Sequence, residues 1–113
     1  MSRIASKLAE LGIILPTPAA PIANYVPSVL SGSLLTVSGQ LCLGPDGKLA
    51  DAHKGKLGSE ISLEAGQQAA RLCAINLLAQ AQAALGDLDR ITRVVRLGGF
   101  INSTPTYGSV PGV

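Results

Sequence analysis

Residues 62–91 read SLEAGQQAARLCAINLLAQAQAALGDLDRI, and this stretch decides the fold. Ser62 supplies an N-cap hydroxyl, Glu64 puts a carboxylate in the first turn, and Gly86 tolerates the left-handed conformation that stops a helix. The spacing predicts a helix from about Leu63 to Leu85, with Leu63, Ala70, Ala74, Leu77, Ala81 and Leu85 along one face. Its many alanines allow close approach to a sheet. Working outward, the residues before the helix read as strands. Tyr25–Leu30 is an edge candidate because of Pro27, and Ser31-Gly32-Ser33 is a turn into the apolar run Leu34–Ser38. Gly39 and Gln40 break that run and Leu41–Leu43 resumes it, followed by the turn Pro45-Asp46-Gly47 and a polar loop over Asp51–Ser59. After the helix, Asp87-Leu88-Asp89 turns into a β-branched strand candidate, Arg90–Ile101. Thr104-Pro105 then has the chemistry of a helix start. Strands grouped around one long helix predict an α+β architecture, with the helix packed on one face of the sheet.

The first part of the chain is a separate piece, residues 1–21: a short helix over Ser2–Leu11 and a proline-rich arm carrying Pro16, Pro18 and Pro21. Residues 22–113 form the domain proper. The chain is 47% hydrophobic and only 14% charged, too few polar groups to cover a small monomer, so burial against copies of itself is expected. The Leu72–Leu85 stretch is interrupted by Asn76, Gln80 and Gln82, so no membrane span is expected. Cys42 and Cys73 are read as inert, buried small hydrophobes in a reducing compartment, which makes the cytoplasm the default location. A net charge of +2 with one Phe and two Tyr gives nucleic acid little to bind.

Residue chemistry supplies few reactive candidates. His53, the sole histidine, is expected to be solvated in its Lys-rich loop, and neither a metal site nor a cofactor is implied. Asp87 and Asp89 read as turn-formers. Arg93 and Arg96, three apart on a strand, point to opposite faces, and Arg71 reads as a helix-edge residue. Ser38-Gly39-Gln40 either presents backbone to a ligand or makes a β-bulge, the latter being favoured.

Four segments in register resemble the RidA/YjgF (YjgF/L-PSP) family: Asn24-Tyr25-Val26, Gly32 to Gln40, Gly86 to Ile91, and Phe100 to Tyr107. The resemblance implies a chorismate-mutase-like sheet with two helices, assembled as a homotrimer with ligand clefts between subunits. The segment before Pro21 looks like an extension found in one branch of the family. The best-known members hydrolyse reactive enamines and imines of the 2-aminoacrylate type to keto acids and ammonia. By that likeness Tyr25 lines the cleft and the partner is a small carboxylate-bearing metabolite; Ser38, Gly39 and Gln40, where glycine permits close approach, are the further substrate-binding candidates. The family's arginine, which grips the carboxylate, and its water-positioning glutamate belong to strands that would follow Val113, so the domain reads as incomplete at its C-terminus. The family's cleft asparagine has no match, Pro111 falling near its position. A non-enzymatic metabolite-binding trimer and an endoribonuclease, a label some relatives carry, are the alternative functions.

Overall fold

The computed structural model describes residues 2–113, so Met1 of the N-terminal piece lies outside the described residues. Its elements are α1 (Arg3–Glu10), β1 (Ser28–Ser31), β2 (Leu34–Val37) and α2 (Leu63–Leu85), with 3-10 turns at Asp51–His53, Leu88–Arg90 and Val110–Gly112. The chain forms two compact units. One holds the residues up to Gln40 together with Ile75–Val95, and the other holds Leu41–Ala74 with Arg96–Val113.

In the first unit, α1 is closed at both ends by side chains and backbone that the sequence supplies. Ser2 is extended and its Oγ accepts from Ala5 N at 2.9 Å. At the other end Gly12 adopts φ +71°; its N–H donates to Ala9 O, and the Ile13 N–H donates to Leu8 O. That pair of bonds is a Schellman motif and satisfies carbonyls the helix leaves orphaned. Asp89, reached through the turn after α2, accepts from Arg3 N at 2.7 Å and Ile4 N at 2.9 Å. It thereby pins the start of α1 to the end of α2.

β1 and β2 pair antiparallel in the register Ser28↔Val37 to Ser31↔Leu34. Gly32 takes φ +60° and Ser33 stays at negative φ, the pattern of a two-residue II′ hairpin turn. β1 begins after Pro27 rather than at Tyr25, because proline has no N–H to give to a ladder. Leu88, at 3% exposure, and the helix residues Ala79 and Ala81 are this unit's buried apolar side chains.

The second unit centres on Leu57, 4% exposed. Its N–H donates to Asn102 O at 3.0 Å and its carbonyl accepts from Thr104 N at 2.9 Å, so residues 102–104 pair with it as a parallel bridge. Gly66 on α2 gives Leu57 its space: a Cβ there would lie 2.8 Å from Leu57 Cδ2. Pro45-Asp46-Gly47 forms the expected turn, with Gly47 at φ +75° and Asp46 Oδ1 accepting from Lys48 N.

Three expectations are corrected. Arg90–Ile101 is no strand: no described strand lies beside it, and Val94, Val95, Leu97 and Phe100 are exposed. A β-branched run cannot be a strand without a ladder partner. Leu41–Leu43 contributes one bridge, Leu43↔Leu49, and no strand. Thr104 starts no helix: its N–H donates to Leu57 O, and the single turn closed by Tyr107 N–H to Thr104 O is not continued. The buried side of α2 also differs from the expected face. Ala74 is exposed, whereas Gly66, Asn76, Ala79, Gln80 and Ala81 are buried.

Candidate functional site

The site is best built from the hairpin stem. The strand register places Pro27 opposite Ser38 as the next rung, and Ser38 N–H donates to Pro27 O at 2.9 Å. The reciprocal bond cannot form, because Pro27 has no N–H, which leaves the Ser38 carbonyl without its ladder donor. Gln40 fills the gap: its Nε2 donates to Ser38 O at 3.2 Å. Ser38 Oγ donates in turn to Val26 O at 2.6 Å. Ser38 and Gln40 therefore replace, with side chains, the rungs that Pro27 denies the ladder. No bulge is present: β2 ends at Val37 and the stem continues in register for one further bond.

From Gln40 the network reaches the helix. Gln80, 4% exposed, donates from Nε2 to Gln40 Oε1 at 3.4 Å and to Ala19 O of the arm at 2.9 Å. A buried amide with both contacts ties arm, stem and helix together, and the shorter bond to Ala19 carries more of the interaction. Tyr25 precedes the Val26 carbonyl that holds Ser38, and its own N–H donates to Ala23 O at 2.9 Å. The backbone is fixed there while the ring stays 43% exposed. A Cβ built at Gly39 meets nothing within 4 Å, so the space beside this residue is open. Tyr25, Ser38, Gly39 and Gln40 thus share one small region of the first unit, with an exposed aromatic ring, an open glycine and an amide held by a buried partner.

The remaining candidates take other roles. Asp87 Oδ1 accepts from Asp89 N at 2.9 Å, as a turn-former does. The N–H groups of Ile4 and then Arg3 hold the Asp89 carboxyl below the usual aspartate range. Glu60 is lowered by the backbone N–H of Lys56, which donates to its Oε2 at 2.9 Å. Arg90 Nη1 caps the end of α2 by donating to Leu85 O. Arg93 and Arg96 are exposed on the unpaired run, so strand alternation does not orient them. His53 is half-buried rather than solvated, with Nδ1 shielded and bonded to no protein atom. Cys42 and Cys73 are half-buried rather than fully buried, and burial pushes the Cys73 thiol up. A surface concavity of about 210 Å³, lined by Ser2, Ala5, Gln82, Gly86, Asp87 and Leu88, touches none of the Tyr25–Gln40 residues and carries no reactive cluster. Sequence reasoning missed Gln80, although two amides four residues apart in an apolar helix, Asn76 and Gln80, were the available signal.

A sequence model described as "YjgF/chorismate_mutase-like, putative endoribonuclease" matches residues 5–109. The chain belongs to the YjgF/chorismate-mutase-like family. It is 50% identical over 105 residues to the protein TCP17 of Trypanosoma cruzi, a match covering 93% of this chain and 64% of TCP17. Among solved structures it is similar to the protein Atu1372 of Agrobacterium tumefaciens, with a TM-score of 0.82 and 45% identity over 96% of this chain and 65% of that one. It is similar too to a protein of Shewanella oneidensis described as "a putative endoribonuclease", with a TM-score of 0.89 and 36% identity over 96% of this chain and 70% of that one. The chain therefore spans about two-thirds of the length of these relatives. Its two-stranded sheet and long helix are an α+β portion of the YjgF/chorismate-mutase-like fold. No helix among the described residues is long and apolar enough to cross a membrane.

Proposed function

We propose that the Tyr25 and Ser38–Gln40 region is one wall of a cleft that hydrolyses small carboxylate-bearing enamines or imines, in a cytoplasmic homotrimer. The observation that carries the reading is the hairpin stem itself. It is one of the segments that carry the family likeness, and it holds an open glycine and a half-exposed tyrosine on a stem tied by the Ser38 and Gln40 side-chain bonds. Preorganised backbone of this kind costs no rearrangement when a ligand arrives. In the reaction the enamine tautomerises to the imine, water adds to the imine carbon, and the carbinolamine expels ammonia to leave the keto acid. By family likeness an arginine fork supplies the carboxylate grip and a glutamate positions the water, both in strands that follow the segments quoted above. The exposed apolar run around Val94, Val95, Leu97 and Phe100 supports assembly with further surface.

The test is a coupled assay in which a dehydratase releases 2-aminoacrylate in the presence of the full-length protein. Keto-acid formation should accelerate in proportion to protein added. No acceleration would overturn the deaminase reading. The endoribonuclease description of the Shewanella protein favours a second activity, RNA cleavage. It is opposed by a charge of only +2 and three aromatic residues in all. Cleavage that co-purifies through successive columns and needs Tyr25 would establish it instead.

A further inference from the structure

The proline-rich arm is linked to the hairpin stem through a side chain of α2. Gln80 is 4% exposed and carries two N–H donors on its Nε2. One bond goes to Ala19 O at 2.9 Å and the other reaches Gln40 Oε1 at 3.4 Å. Gln40 in turn donates to Ser38 O at 3.2 Å. The arm carbonyl and the stem amide therefore share one nitrogen, and fixing one of its N–H groups fixes the direction of the other. The Ala19 carbonyl is itself well placed: Pro18 and Pro21 lock φ on either side of it, and Pro21 favours an extended Ala20. Upstream, Asp89 accepts from Arg3 N at 2.7 Å and Ile4 N at 2.9 Å. The N-terminal piece is thus moored twice, at the turn after α2 and at Gln80, and all of these residues belong to the first compact unit.

We propose that Gln80 is a positioning residue through which the N-terminal arm holds Gln40 in place on the cleft wall, so that the arm sets how tightly substrate binds. The effect on substrate rests on the reading of the stem as a cleft wall; the effect on Gln40 does not. With the arm seated, the Gln80 amide is oriented by its shorter bond, and its second N–H points at Gln40 Oε1. Gln40, held at its oxygen, keeps its nitrogen on Ser38 O, the carbonyl that Pro27 leaves without a ladder donor. Once the Ala19 bond is lost, the Gln80 amide has only the longer contact to orient it, and Gln40 loses a fixed partner. The wall must then be ordered by the ligand itself. That ordering weakens binding and leaves the chemical step alone.

The experiment compares the full-length protein with Gln80→Met, Gln40→Met and the double variant, methionine keeping an unbranched chain of similar length. Circular dichroism checks that each variant folds. Amide hydrogen exchange is read first, because it needs no activity. In Gln80→Met the Ser38 N–H should exchange faster, while the amides of Ser28–Ser31 and Leu34–Val37 keep their protection. The coupled imine-hydrolysis assay is read second. Gln80→Met should raise KM by about fivefold with kcat within about twofold of the native protein. The double variant should match Gln40→Met alone, because Gln80 acts through Gln40. A merely structural Gln80 would instead lower kcat through a smaller folded fraction, or multiply with Gln40→Met, and either result overturns the proposal. So does unchanged exchange at Ser38 in a folded Gln80→Met. A native protein without turnover overturns the cleft reading, and the exchange result then decides the hold on Gln40 by itself.

Discussion

At the scale of single residues, Gln80 has the most to hold. Its amide is 4% exposed and bonds both the arm and Gln40. Replacing it with leucine keeps the volume but strands the Ala19 carbonyl and Gln40 Oε1. Gln80→Leu should cost about 1–3 kcal/mol, the range for a buried polar group that loses its partner, read as a fall in urea midpoint. Asp89 offers a test with a definite sign. Its carboxyl is held low by the N–H groups of Ile4 and Arg3, so its contribution is full above the ordinary aspartate value near 3.8 and is lost as pH falls through the lower folded value. The amide resonances of residues 3–7 should shift toward unstructured positions as the solution is acidified below about pH 4. The same residues in Asp89→Asn should show no such titration. A titration retained in that variant would assign it elsewhere.

Among the elements, the legible ones carry their instructions locally. Ser2 and Gly12 bound α1, Ser62 and Gly86 bound α2, and Gly32 with its flanking β-branched run makes the hairpin. Each of these depends on one side chain or one positive φ within a few residues. Arg90–Ile101 was illegible for the opposite reason. Its composition is that of a strand, but a strand exists only with a neighbour, and no periodicity reveals whether one is present. Thr104-Pro105 failed similarly: the start signal is there, but the one turn it opens, Tyr107 N–H to Thr104 O, is not propagated. The candidate site was half legible. Tyr25 was proposed by likeness and Ser38-Gly39-Gln40 from the close approach a glycine permits, whereas the reason for Gln40, the missing N–H of Pro27, emerges only once Ser38 is seen opposite that proline. Gly58 gives the sharpest element-level test. It sits at φ +88°, and a Cβ there would meet Thr104 Oγ1 at 2.6 Å and Tyr107 at 3.0 Å. Gly58→Ala should destabilise the 102–107 turn by roughly 1–3 kcal/mol, combining backbone strain with the clash, as measured by thermal unfolding.

Taken whole, the molecule leaves a large apolar surface for its length. Phe100 is fully exposed and Val94, Val95 and Leu97 are mostly so, a run no small monomer keeps without cause. If a homotrimer covers it, Phe100→Glu should lower the sedimentation coefficient of the full-length protein to that of a monomer. Phe100 touches little within the described residues, and circular dichroism on the variant checks that it folds. A trimer that survives the substitution would place the interface elsewhere.

The central claim, that the hairpin stem with Tyr25 is a wall of the reaction cleft, is tested most directly by the steady-state kinetics of imine hydrolysis by the full-length protein and its Tyr25→Ala variant. The ring is 43% exposed, so its removal should change stability by no more than about 1 kcal/mol. The account predicts a fall in kcat/KM of about tenfold or more with the fold intact, corresponding to roughly 1.4 kcal/mol of lost transition-state contact. Unchanged kinetics in a folded variant would contradict it.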